Sequence, residues 1–146
     1  FWLAYVYQNK NSLETGNVSE ALDNIRKDFN SYLGFVFEDV ARQFLEEIKP
    51  VDFSKIGRWW HRDKEIDLVG LNEKTKDILF VECKWQDKVD ATKILSELNE
   101  KARYVDWNTG KRKEYYCVFA KSFSKKIKEE NSFLYDLKDI EKSMKG

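Results

Sequence analysis

The stretch Glu65–Trp85 most constrains how this chain can fold. Its first part, residues 65–71, alternates acidic and apolar side chains, and its last part, residues 78–85, is almost entirely apolar. The segment between them, residues 72–77, is polar and carries no apolar residue, as is typical of the loop of a β-hairpin. The pattern therefore predicts two antiparallel strands joined by a tight turn.

The position of the turn predicts which residues of this hairpin face each other. If the turn centres on residues 74–75, Asp67 lies directly opposite Glu82, and Glu65 lies opposite Lys84. Directly opposed side chains have Cβ atoms about 4.5–5.5 Å apart, so two opposed carboxylates repel each other. A divalent cation between them removes that repulsion, and hard oxygen ligands suit Mg²⁺ or Mn²⁺.

Strict alternation also predicts the faces of the two strands. In the first strand it predicts two sets of side chains on opposite faces: Glu65, Asp67 and Val69 on one, and Ile66, Leu68 and Gly70 on the other. The apolar second strand is expected to be central and covered on both faces. Charged residues in such a strand need a partner or a metal, because buried charge is costly.

These residues resemble the PD-(D/E)XK nuclease superfamily, whose pattern is an acidic residue on one strand followed by Glu/Asp-x-Lys on the next. Here the pattern is Asp67 and then Glu82-Cys83-Lys84, and Glu38 stands where the family has a glutamate on a preceding helix. The proline of the family's name is replaced by Ile66.

The resemblance implies Mg²⁺- or Mn²⁺-dependent hydrolysis of DNA phosphodiester bonds. Asp67 and Glu82 would hold the metal, with the Cys83 backbone carbonyl as a further ligand. Glu38 would bind a second metal or orient the first. Lys84 would position the attacking water and stabilise the negative charge of the transition state.

Basic and aromatic residues before the hairpin are candidate nucleic-acid contacts. Arg58, His61 and Arg62 can reach phosphates, although a solvated loop explains them equally well. Trp59, Trp60 and Trp85 can stack on bases, but we expect at least two of these three to pack in the core. The basic run at residues 111–113 is interpreted as solvated surface.

Two alternatives to catalysis remain open. In the first, Asp67 and Glu82 are solvated residues of a polar sheet face, and Lys84 pairs with Glu65. In the second, the domain is a catalytically idle regulatory or binding module that docks on an ATPase or another partner. The balance of 26 basic against 26 acidic residues favours the second alternative, because it offers no bulk attraction for nucleic acid.

Composition narrows the setting. The chain is one domain long, with 146 residues. Cys83 and Cys117 lie in apolar runs and are expected to be buried free thiols. No apolar run reaches the roughly 18 residues of a membrane span, and we expect a cytoplasmic protein. The high Lys and Glu content is typical of thermophiles.

The element order agrees with an α/β fold of the restriction-endonuclease-like, PD-(D/E)XK type. The core is expected to be αβββαβ, a central mixed sheet flanked by helices. The expected helices are 20–29, loosened at 30–31, then 36–48, 89–107 with Asp90 as its cap, 123–128 and 137–144, and the expected strands outside the hairpin are 56–60, 114–120 and 133–135. A helix precedes strand 114–120, so that strand is expected to run parallel to its neighbour.

The chain also resembles the C-terminal domain of archaeal DEXX-box ATPases of the AAA-like, STAND-related type. Five stretches carry this resemblance: residues 1–9, 32–38, 57–60, 65–69 and 82–85. It implies that residues 1–16 are the severed end of an upstream winged-helix and ATPase region, and that 17–146 form the nuclease-like domain. The chain has no Gly-x-x-x-x-Gly-Lys loop, so ATP would bind only in that upstream domain. The aromatic segment at Phe1–Tyr7 could form a homodimer contact.

Overall fold

The computed structural model describes residues 18–145. The expected roles of residues 1–16, as a severed interface or a dimer contact, lie outside the described residues. The chain divides into two compact units, residues 1–36 and residues 37–146. The sheet and every residue of the candidate site belong to the second unit.

Eight elements make up the described part of the chain. In chain order they are α1 (Val18–Ile48), β1 (Lys55–His61), β2 (Lys64–Asn72), β3 (Asp77–Lys84), α2 (Ala91–Ala102), β4 (Lys113–Ala120), β5 (Ser132–Tyr135) and α3 (Leu137–Lys145). The order of helices and strands in the predicted core is therefore confirmed. None of the described helices combines the length and hydrophobicity that a membrane span requires.

The strands form one mixed sheet of five strands in the order β1-β2-β3-β4-β5. β1, β2 and β3 are antiparallel neighbours, whereas β4 is parallel to both β3 and β5. The predicted parallel crossover through α2 is thus confirmed. It places β3 in the centre of the sheet, where residues 78–81 are fully buried, as the apolar run indicated.

Two buried clusters cover the two faces of the sheet. The α1-side cluster includes Phe37, Ala41, Phe44, Leu45, Leu68, Val81, Cys117 and Phe119. The α2-side cluster comprises Ile66, Val69, Ile78, Phe80, Leu98, Ala102 and Val105. Both cysteines are free thiols; Cys117 is fully buried and Cys83 is half-buried beside the α1-side cluster.

Helix α1 shows that the predicted loosening at residues 30–31 is wrong. The helix continues through both positions to Ile48. The Ser31 hydroxyl donates a hydrogen bond to the Lys27 carbonyl oxygen one turn earlier, at 3.2 Å. The side chain therefore finds its partner inside the helix instead of competing with it.

Helix α2 begins as predicted but ends early. The Asp90 side chain accepts a hydrogen bond from the Lys93 N–H, which confirms the expected cap. The helix stops at Ala102 instead of continuing to residue 107, because its end tightens into i→i+3 bonds from the Tyr104 and Val105 N–H groups to the Lys101 and Ala102 carbonyls, at 3.0 and 3.1 Å. The Arg112 guanidinium also binds the Ala102 carbonyl oxygen, at 2.9 Å. The interpretation of residues 111–113 as solvated surface is therefore wrong for Arg112, whose side chain is only 5% exposed.

The short helix expected at residues 123–128 is absent from the structure. This segment instead begins with an isolated parallel bridge between Phe123 and Val89. The Val89 N–H binds the Ser122 carbonyl at 3.0 Å, and the Ser124 N–H binds the Val89 carbonyl at 3.1 Å. Backbone groups that bind the segment preceding α2 are not available for a helical turn.

Candidate metal centre

A β-bulge in β2 sets the position of Asp67. The register between β1 and β2 shifts between Gly57 and Trp59. Only Arg58 lies in this interval on β1, whereas the matching interval of β2 holds both Asp67 and Leu68. Two residues opposite one define a β-bulge, which bends the strand and turns its side chains.

The bulge overturns the strict alternation expected for β2. Ile66 and Val69 both belong to the α2-side cluster, and Leu68 belongs to the α1-side cluster. The predicted grouping of Ile66 with Leu68 on one face is therefore wrong. The extra residue shifts the alternation of side chains by one position. Residues on the two sides of the bulge therefore do not follow one continuous in-and-out pattern.

The hairpin register is confirmed from the turn up to Leu68, which pairs with Val81. The backbone pairing of the two strands ends at Leu68. The expected direct pairing of Asp67 with Glu82, and that of Glu65 with Lys84, is therefore not found. Asp67 uses its side chain instead: its Oδ2 accepts a hydrogen bond from the Cys83 N–H at 2.8 Å. This bond fixes the Asp67 carboxylate against β3 where the backbone ladder stops.

Asp67 of β2 interacts with two further carboxylates, Glu38 of α1 and Glu82 of β3. The negative charge of Asp67 acts on both of the others and favours their protonated forms. Burial, followed by repulsion from Asp67, raises the pKa of Glu82 to about 7. The same two causes, in the same order, raise the pKa of Glu38.

Two cations neutralise the outer members of this carboxylate cluster, which we define as Glu38, Asp67 and Glu82. Arg58 Nη2 lies 2.6 Å from Glu38 Oε2, and Lys101 Nζ lies 2.8 Å from Glu82 Oε1. The hydrogen bond to Glu38 raises the pKa of the Arg58 guanidinium further above its usual range.

Lys84 lies two residues after Glu82, at the end of β3. Val81 and Cys83 contact the α1-side cluster, so alternation puts Glu82 and Lys84 together on the opposite face. The solvated-face alternative requires an ion pair between Lys84 and Glu65. Among residues 18–145, no such ion pair is present. The cationic end of Lys84 is therefore on the same side of the strand as the Glu82 carboxylate.

The expected phosphate contacts separate into two groups. Arg58 joins the carboxylate cluster through Glu38, whereas His61 and Arg62 lie at the exposed turn between β1 and β2. The His61 ring stacks on Trp59 with centroids 6.3 Å apart. Nothing in their contacts ties His61 or Arg62 to the three carboxylates.

The tryptophans follow the expectation that most of them pack in the core. Trp59 packs against the α2-side cluster, and Trp85 makes an edge contact with Phe37 at 5.1 Å. Trp60, by contrast, is 70% exposed.

The sequence analysis missed Lys101, the partner of Glu82. The signal was present, because Lys101 follows Leu98 by three residues and precedes Ala102, and both of these are buried against the sheet. A lysine on the inward edge of an amphipathic helix needs an acidic partner, but the periodicity does not say which one.

The donor set fits a hard divalent cation by its chemistry. Carboxylate oxygens and a backbone carbonyl, here those of the carboxylate cluster and of Cys83, are the ligands that Mg²⁺ and Mn²⁺ prefer. In the described range, however, no three His, Cys, Asp or Glu residues are arranged as a metal-binding group. Arg58 and Lys101 occupy positions beside the carboxylates that a cation would share.

Fold and site together define an α/β protein with a five-stranded mixed sheet and a partly buried carboxylate cluster beside its central strand. The chain belongs to the DUF234 family, described as archaeal and bacterial proteins of unknown function, whose model matches residues 2–94. That match includes Glu38, Asp67, Glu82 and Lys84, and it ends before Lys101.

A curated relative extends the comparison. The chain is similar to uncharacterized protein MJECL04 of Methanocaldococcus jannaschii, with 40% identity over 147 aligned positions. The alignment covers 96% of this chain and 32% of the relative, so the chain spans about a third of the relative's length. No solved structure matches the chain significantly.

Proposed function

We propose that this chain is a PD-(D/E)XK nuclease-like domain that hydrolyses DNA phosphodiester bonds with Mg²⁺ or Mn²⁺. The observation that carries the proposal is the interaction of Asp67 with both Glu38 and Glu82, with Lys84 two residues after Glu82, on the elements where the resemblance expects these residues. The order αβββαβ supports the fold assignment. The length of the relative supports attachment to a larger polypeptide, in which an upstream ATPase domain would bind ATP.

The acidic residues and the Cys83 carbonyl would supply the oxygen ligands of the proposed cation site. Asp67 would hold a cation through its carboxylate, which the Cys83 N–H fixes in position. Glu82, the Cys83 carbonyl and Glu38 would complete the oxygen ligands. When bound, a divalent cation supplies Lewis-acid activation of a phosphate and of a water molecule.

Lys84 and Arg58 provide positive charge around that site. The Lys84 ammonium would hold the attacking water and stabilise the additional negative charge on the phosphate as the bond forms. Arg58, once released from Glu38, presents a planar fork of N–H groups that suits a phosphate.

Lys84→Ala tests the proposal directly. We expect the variant to remain folded and to lose cleavage of a panel of duplex, single-stranded and branched DNAs in Mn²⁺ by at least about a hundredfold, the usual effect of removing a transition-state charge partner. Retention of cleavage within a few-fold of wild type would exclude the assigned role. Glu73→Gln is the matched control, because Glu73 lies in the hairpin turn and contacts only exposed Lys55.

A second function is favoured by the two internal ion pairs. Arg58 and Lys101 already neutralise Glu38 and Glu82, as a catalytically idle binding or regulatory module would need. Mn²⁺ binding separates the two proposals, because an idle module has no need of a working cation site. A protein that neither binds Mn²⁺ nor cleaves any DNA of the panel would support the idle module.

A further inference from the structure

The contact between Lys101 and Glu82 is the most deeply placed ion pair of the site. Glu82 is only 4% exposed, and its Oε1 receives the Lys101 ammonium at 2.8 Å. A carboxylate this buried is costly unless it is paired. Lys101 therefore supplies the compensating charge in the absence of a metal.

Lys101 and a divalent cation would compete for the same group. Both are attracted by the negative charge of Glu82, and two cations placed against one carboxylate repel each other.

The structure also shows which of the partners of the carboxylate cluster can leave. The Lys101 side chain is 31% exposed and projects from the last turn of α2, so its flexible stem can carry the ammonium into solvent. The hydrogen bond to Asp67, by contrast, comes from the backbone N–H of Cys83 in the central strand. That donor cannot leave without disrupting β3.

We propose that Lys101 is the resident counter-ion of Glu82, and that a divalent cation binds by displacing its ammonium. This inference rests on the proposed metal site. It makes Lys101 a positioning residue that holds Glu82 in place without metal and lowers the affinity of the empty site for a cation. Lys84, on the same strand as Glu82, remains the lysine assigned to the substrate.

Mn²⁺ affinity measured by calorimetry at pH 8 tests the inference. Lys101→Met keeps the length of the side chain and removes its charge. A hydrogen bond to a charged group can change a binding constant about tenfold, so we expect Mn²⁺ to bind this variant about tenfold more tightly than wild type. Lys93→Met, on the exposed side of the same helix, should bind like wild type.

The outcomes separate this inference from the proposed function. Equal or weaker Mn²⁺ binding by Lys101→Met, with clear binding by wild type, overturns only the role of Lys101. Absence of binding in both proteins overturns the metal site and the inference with it.

A second measurement needs no variant. Acylation of lysine amines in the wild-type chain, read by mass spectrometry, should become faster at Lys101 when Mn²⁺ is added, because the ammonium leaves its ion pair. The rate at Lys93 should not change. A Lys101 rate that is unaffected by saturating Mn²⁺ contradicts displacement.

Discussion

Asp67 connects the parts of the candidate site. Its carboxylate binds the backbone of β3 through the Cys83 N–H and interacts with both Glu38 and Glu82. The bulge in β2 makes this possible, because it releases Asp67 from the regular alternation of the strand. A single side chain thus links the acidic residues of α1, β2 and β3.

Asp67→Asn separates charge from shape at this position. Asparagine keeps an oxygen acceptor for the Cys83 N–H and removes the repulsion toward the other two carboxylates. We expect the variant to be as stable as wild type in EDTA, or more stable by up to about 1 kcal/mol. Mn²⁺ at a hundredfold excess over its Kd should stabilise wild type by about 2.7 kcal/mol, and most of this gain should be lost in the variant.

Thermal melts with and without Mn²⁺ measure both effects. Glu73→Gln, in the hairpin turn, should behave as wild type in each condition. If wild type shows no Mn²⁺ response, or if Asp67→Asn keeps it, Asp67 is not a ligand of a cation site.

A residue outside helix α2 caps its C-terminal end. The buried Arg112 guanidinium donates to the carbonyl oxygens of Ala102, Val105 and Trp107, at 2.9, 2.6 and 3.0 Å. It also lies over the Phe80 ring, 5.5 Å from its centroid. Through these contacts Arg112 joins the C-terminal end of α2, at Ala102, to β3 and to the start of β4. Ala102 directly follows Lys101.

Arg112→Met tests this anchor. Methionine retains an apolar stem over Phe80 but removes the guanidinium donor of the Val105 and Trp107 carbonyls, while the Ala102 carbonyl keeps only the Val105 N–H, at 3.1 Å. We expect the free energy of unfolding, measured by urea denaturation, to fall by about 2–4 kcal/mol. Arg103→Met is the control, because Arg103 is exposed and its ion pair with Glu100 is long, at 3.7 Å. A loss of under about 0.5 kcal/mol in both variants, the usual range for exposed ion pairs, would show that Arg112 does not hold the helix end.

The stability of the whole molecule should depend on pH through Glu82. Its pKa in the folded protein is raised from 4.5 to about 7, so the folded state binds a proton that the unfolded state releases. This contribution is fully present below about pH 4.5 and is lost as the pH rises through about 7. Glu38 acts in the same direction. The free energy of unfolding in EDTA should therefore fall by on the order of 2–3 kcal/mol between pH 5 and pH 8, and the melting temperature should fall with it.

Glu82→Gln identifies the group responsible, since glutamine does not titrate and the decline should become much smaller. Saturating Mn²⁺ should oppose the decline in wild type, because metal binding favours the ionised carboxylates as the pH rises. A decline of the same size in Glu82→Gln would assign the pH dependence to other residues.

The sequence by itself determined the features that depend on neighbouring residues. The hairpin register from Leu68 to the turn, the Asp90 cap and the order of the core elements were predictable, because alternation, turn chemistry and capping act over a few residues.

Tertiary structure alone decided how those residues meet. The bulge at Asp67 depends on the register of β1 against β2, and the pairing of Lys101 with Glu82 joins residues 19 positions apart. The cap at the early end of α2 comes from Arg112, ten positions beyond Ala102. No local pattern specifies these contacts, because they form only when separate elements pack and each buried charge and carbonyl takes the partner that packing brings to it.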